Sequence, residues 1–275
     1  MIVAISIFVS ISIIALLLFY SKQHNSGFER KYQLVMDLRT VLSLCRQHRS
    51  LTHHAKVHHR LDEEVLTRVE SQLMDIVQHL VTIAKFENKP LYRVLEIKVK
   101  AMINQWSEQS IAKNQMMHGK VIRHCMYLLD DVVLAWLAQA GRDDLYEEYH
   151  QNWQAILDSM ESLTQLRISI QESDIGHSEE RIRYYCGSIL NKMNRLSVIN
   201  RKVINTPQCV IALNRLNEVS EGYADFSNTN NLYSLSSEVS LAISDVYDDM
   251  LKTFAEDLYQ PLDDLPPVTA ESLRA

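Results

Sequence analysis

Leu66-Thr67-Arg68-Val69-Glu70-Ser71-Gln72-Leu73-Met74-Asp75-Ile76-Val77-Gln78-His79-Leu80-Val81-Thr82-Ile83 decides the fold class. Leu66, Val69, Leu73, Ile76, Leu80 and Ile83 recur at alternating steps of three and four, the spacing that lines one face of an α-helix and no face of a strand. Leu34, Leu38, Val41 and Cys45 repeat the pattern upstream. With six glycines and five prolines in 275 residues, the chain lacks the turn residues that many short strands require. An all-α protein is expected, with helices over 91–106, 111–140, 142–171, 178–204, 208–223 and 230–259. Breaks are expected at Asn88-Lys89-Pro90, Ala140-Gly141, Asp174-Ile175-Gly176 and Thr206-Pro207.

Before the first stripe lies Met1 to Tyr20, without charge, glycine or proline. A run of this length matches a helix crossing a hydrocarbon core about 30 Å thick. It lacks the basic start and small-residue cleavage site of a secretory signal, so an uncleaved single-pass anchor over 1–21 is expected. Lys22, Arg30 and Lys31 follow the run and nothing basic precedes it. This favours a cytoplasmic body at a bacterial inner membrane, with a periplasmic body as the alternative. The body spans 22–260 and is long enough for two stacked four-helix bundles in up-and-down order. Pro261, Pro266 and Pro267 among acids and small residues suggest a disordered tail over 261–275.

Cys45, Cys125, Cys186 and Cys209 form no Cys-x-x-Cys pair and read as reduced core residues. The net charge of −6 argues against nucleic-acid binding. That charge is unevenly spread. From Leu38 to Leu61 there is no Asp or Glu, but there are five basic residues (Arg39, Arg46, Arg49, Lys56, Arg60) and five histidines (His48, His53, His54, His58, His59). Such an island suits a solvated face, an anion, an acidic partner or lipid headgroups, the last through Arg46, His53, His54, Lys56, His58, His59 and Arg60.

Extending the first stripe past Cys45 brings His48 and Thr52 onto the apolar face, and its flank Val35-Leu42 leads to Arg49. Arg167 likewise interrupts the face of Ile156, Met160, Leu163 and Ile170, and His118 precedes Val121, Cys125, Leu128 and Val132. An unpaired buried charge costs several kcal/mol, so each arginine must meet a carboxylate, carbonyls, water or an anion. His48, Arg49, His118 and Arg167 are therefore candidate anion-binding residues, with structural pairing as the competing reading. His54 and His58 lie one turn apart, but no third ligand has matching spacing, so no metal site is expected. Gly-rich phosphate loops, Gly-x-Ser-x-Gly and His-Glu-x-x-His are absent from the sequence, and the doublets Asp130-Asp131, Asp143-Asp144, Glu147-Glu148 and Asp248-Asp249 read as solvating charge; neither catalysis nor a cofactor is expected.

Leu44-Cys45-Arg46-Gln47-His48-Arg49-Ser50-Leu51-Thr52 resembles the first-helix motif of the bacterial nitrate- and nitrite-sensing (NIT-type) domain. Leu61-Asp62, Trp106, His118, Val121-Ile122, Leu128, Asp131, Tyr149 and Leu163-x-x-Leu166-Arg167 are similar to its later pattern, so the resemblance covers roughly Gln33 to Ile170. It implies two packed four-helix bundles that hold a small planar anion between helices, with Arg49 and Arg167 at the family's arginine positions. Ser50 stands where the family has glycine, and acids flank Arg215 where a second arginine-glycine element is expected. The sequence carries no kinase, cyclase or RNA-binding output module. Signalling through a separate protein partner is therefore expected, alongside membrane lipid and a small anion as binding partners and a homodimer as a candidate assembly. The competing expectation is a tethered helical scaffold with no small ligand.

Overall fold

A computed structural model describes residues 2–172, 178–223, 229–258 and Leu262, without the side chains of 2–10, 17, 18, 20–25, 229 and 230. Among the described residues there is no strand. The helices are α1 (Ile2–His58), α2 (Glu63–Ile83), α3 (Lys89–Gln105), α4 (Ile111–Ala140), α5 (Tyr146–Gln171), α6 (Ser178–Ile199), α7 (Arg201–Ile204), α8 (Pro207–Glu221) and α9 (Thr229–Asp257), with a 3₁₀ turn at Asp143–Leu145.

Local chemistry sets these boundaries. Asp62, Ser110, Asn200 and Thr206 cap α2, α4, α7 and α8 by accepting the backbone N–H three residues on. Pro90 and Pro207 sit in the first turns of α3 and α8. Gly141 and Gly222 end α4 and α8 at φ 68° and 81°, a left-handed conformation that costs glycine little. The expected helix over 178–204 is instead broken at Asn200, whose side chain caps α7 and also donates to Asp249 on α9 at 2.5 Å. The expected start at Arg142 is taken by the 3₁₀ turn.

Neighbours follow chain order. α1 packs on α2, α2 on α3, α3 on α4 and α4 on α1; α5, α6, α8 and α9 form a second ring in the same way, and α4 meets α5 between them. The buried stripes fill the two interiors. On α2 the core face is Leu66, Val69, Leu73, Val77 and Leu80, so the stripe takes a second step of four and leaves Ile76 only partly buried. All four cysteines are free and buried.

α1 continues unbroken from the apolar run into the body. Ile11, Ile13, Ile14, Leu16 and Phe19 are exposed. The expected anchor falls mostly on side chains outside the described residues; among the described residues no helix is long and apolar enough to cross a membrane. The expected tail over 261–275 and the connection at Asp174-Ile175-Gly176 also lie outside, apart from the buried Leu262.

Candidate functional site

α1 runs antiparallel to α9, with Arg39 level with Asp248, Arg49 with Ser240 and His53 with Tyr233. Their backbones do not pack closely. Arg39, Arg46, Arg49 and His53, at steps of seven, three and four, share the α1 face along this seam. Arg39 is fully buried and has its own acid, since its Nε donates to Asp248 Oδ1 at 2.7 Å.

Further along the seam the pairing changes. Arg49 is buried and its Nη2 donates to Ser240 Oγ at 3.3 Å. Arg167, buried on α5, donates from Nε to Ser236 Oγ at 3.1 Å and from Nη2 to the Ser236 carbonyl at 3.0 Å. Arg46 is partly exposed, but its Nε is buried without a hydrogen-bond partner. Among the described residues no carboxylate comes within ion-pair distance of Arg46, Arg49 or Arg167.

The electrostatics register this imbalance. Burial, then the charge of neighbouring Arg49, brings Arg46 down to about 10. Burial also lowers Arg49, and burial with the charges of Arg49 and Arg46 lowers Arg167 well below the usual arginine range. At Asp245 on α9, burial raises the carboxyl while Arg46 pulls it down. Arg49 and Arg167 thus share a low-dielectric region in which hydroxyls and a carbonyl stand in for acids, with Arg46 beside them. Such a region favours an anion, and planar paired N–H donors fit planar oxyanions.

His48 and His118 are buried as the stripes require, but their rings turn to each other rather than to the arginines. His118 Nδ1 faces the Asn114 carbonyl at 2.8 Å and therefore carries hydrogen, so its Nε2 accepts from His48 Nδ1 at 2.8 Å. His48 Nε2 then faces Glu70 Oε1 at 3.2 Å, an approach that is attractive only when a proton lies between them. Both imidazoles are engaged in this row rather than turned toward the arginines. Burial, then His48, holds His118 well below the usual histidine range, so it stays neutral.

The rest of the basic segment divides by position. His53 is buried in the seam, its ring stacked on Tyr233 at 3.4 Å between centroids, and Gln115 Nε2 donates to His53 Nδ1 and to the Tyr233 hydroxyl, each at 3.3 Å. Burial, then Arg167, brings His53 down to about 3. Lys56 donates to the Ser107 carbonyl and lies over Trp106, His54 stands 4.5 Å from His58, and His58, His59 and Arg60 are exposed. His58 lies roughly 57 Å along α1 from Tyr20, taking 1.5 Å per residue. Headgroup contact by this end with a bilayer holding the apolar run would have to bridge that length. Among the described residues no three metal-ligating side chains cluster.

The sequence pointed to both arginines but not to their partners. Ser236 and Ser240 sit four apart beside the apolar stripe Leu232, Leu235, Val239 and Ile243, and buried hydroxyls at helical spacing were the available signal. Compared with known protein families, curated proteins and solved structures, the chain matches none.

Proposed function

We propose that this protein is a non-catalytic, membrane-tethered sensory module of the nitrate- and nitrite-sensing type, binding a small planar anion between Arg49 and Arg167. The observation that carries this reading is the set of buried guanidinium groups of Arg49 and Arg167, with Arg46 beside them, lacking any acid within ion-pair distance among the described residues. An anion between them would take over donors now spent on Ser236 and Ser240. Because the α1 and α9 backbones are not tightly packed, it could do so by shifting the seam. In this reading residues 1–21 hold the protein in the bilayer, consistent with the exposed Ile11, Ile13, Ile14, Leu16 and Phe19, and the body of 22–260 reports through a partner protein.

One observation favours the tethered scaffold instead. A void of about 20 Å³ that Arg49 lines between Gly119 on α4 and Thr164 on α5 has room for about one water. The deciding experiment is thermal unfolding of the full chain in matched chloride, nitrate and nitrite. An anion at a hundred times its dissociation constant stabilises a folded-state site by about 2.7 kcal/mol. A nitrate- or nitrite-specific gain that Arg49→Ala and Arg167→Ala each abolish supports the sensor. No gain beyond chloride leaves the scaffold.

A further inference from the structure

Beside the buried arginines lies a cleft of about 700 Å³ between the end of α1, α8 and α9, lined among others by His53, His54, His58, Arg215, Tyr233 and Glu238. Its α1 side carries His54 and His58, Asp245 lines it from α9, and Arg215 is neutralised by Glu238 at 3.2 Å. Its inner wall includes His53 and Tyr233. Arg49 is one turn from His53 on α1, and Ser236 and Ser240 follow Tyr233 by three and seven residues on α9. The two rings are stacked nearly parallel, 15° apart, and joined by Gln115 from α4. The Gln115 Oε1 is buried without a partner.

We propose that this cleft is the mouth of the arginine site, that the stacked His53 and Tyr233 rings close it, and that Gln115 latches them. What passes through is a small planar anion, and that part rests on the sensor reading; the path itself does not. Parting two rings and breaking two hydrogen bonds at 3.3 Å opens a way from cleft to Arg49, whereas the void between Gly119 and Thr164 is barred on its outer side by the Arg123–Glu161 ion pair. A neutral His53 suits the door, because a charged ring there would attract the anion and hold it short of the arginines.

The test places a thiol behind the door and times its modification by a small anionic reagent, methanethiosulfonate ethylsulfonate, in the full chain held in nanodiscs. Ser240→Cys supplies the thiol and Cys209→Ser removes the native one that lines the cleft. The buried Cys45, Cys125 and Cys186 report any general loosening. Labelling is expected to be slow in this background, at least tenfold faster with Tyr233→Ala, and intermediate with Gln115→Ala. Thr164→Ala should leave it unchanged. Equal rates with and without Tyr233, or acceleration by Thr164→Ala alone, overturn the proposal. If Tyr233→Ala also exposes the reporter cysteines, the milder Gln115→Ala decides. Nitrate protection of the Ser240→Cys thiol that Arg167→Ala removes ties the path to the anion; door-controlled labelling without protection upholds the path and rejects the anion.

Discussion

Arg39 and Arg49 lie ten residues apart on one face of α1 and meet the same helix, yet one finds a carboxylate and the other a hydroxyl. Arg39 with Asp248 is a pair complete in itself, and Lys252 adds a second cation to that acid at 3.3 Å. Arg49, with Arg167 and Arg46 nearby, is a donor set with no acid within ion-pair distance among the described residues. The first end of the seam is organised for the folded chain alone. The second is organised as though something else completes it. An arginine buried for structure brings its counter-charge with it, so the missing acid distinguishes the two ends more sharply than burial does.

The comparison can be broken or sharpened by substitution. The largest effect is expected from Arg39→Met, which leaves part-buried Asp248 to Lys252 alone; unfolding in denaturant should show a loss of about 2 kcal/mol, the same in chloride and nitrate. Next, Ser240→Asp gives Arg49 an acid of its own and makes the second end resemble the first. A charge-assisted hydrogen bond there should raise stability by about 1.5 kcal/mol and remove any response to nitrate. If Ser240→Asp destabilises the protein, the seam already holds an acid the comparison lacks. Arg49→Met removes an uncompensated charge while keeping volume, and in chloride its stability should stay within about 1 kcal/mol of the parent or rise. A loss as large as that of Arg39→Met would erase the distinction.

At neutral pH the smallest effect is expected from His53, whose titration acts only as the pH falls. His53 is held at about 3 in the folded state, against an unfolded value near 6.5. Below that unfolded value the unfolded chain takes up a proton that the folded chain refuses, so stability falls as pH drops from about 6.5 toward 3, by up to about 1.4 kcal/mol per pH unit for this group. His53→Gln should flatten that slope in acid unfolding curves and leave stability at pH 8 little changed by titration. An unaltered slope would mean that His53 is charged in the seam.

Helical periodicity carried the fold class and the burial of Arg49, Arg167, His48 and His118, because a stripe records which face meets a neighbour. It could not record which neighbour. Ser240 lies 191 residues from Arg49, and Asn114, Glu70 and Gln115 are ordinary polar residues until the packing of α4 and α2 against α1 brings them to a histidine. For the same reason the sequence could not show that the two buried histidines bond each other. Small errors had local causes. The α2 stripe skips from Leu73 to Val77, as a 3.6-residue helix allows, and Asn200 ends α6 through a cap whose other partner, Asp249, is remote in sequence.

The continuity of α1 has a mechanical consequence. Between Ile2 and His58 there is no proline and a single glycine, so the helix behaves as a stiff rod whose axial slip or twist at one point travels along its length with little loss. From Arg49 back to Ile2 that rod is roughly 70 Å long at 1.5 Å per residue. Its one soft spot, Gly27, is braced where an added Cβ would stand 3.1 Å from the Gln139 side chain. A rotation of α1 imposed at the seam would therefore turn the ring of exposed isoleucines at its far end, much as a key turned in a lock moves a bolt out of sight.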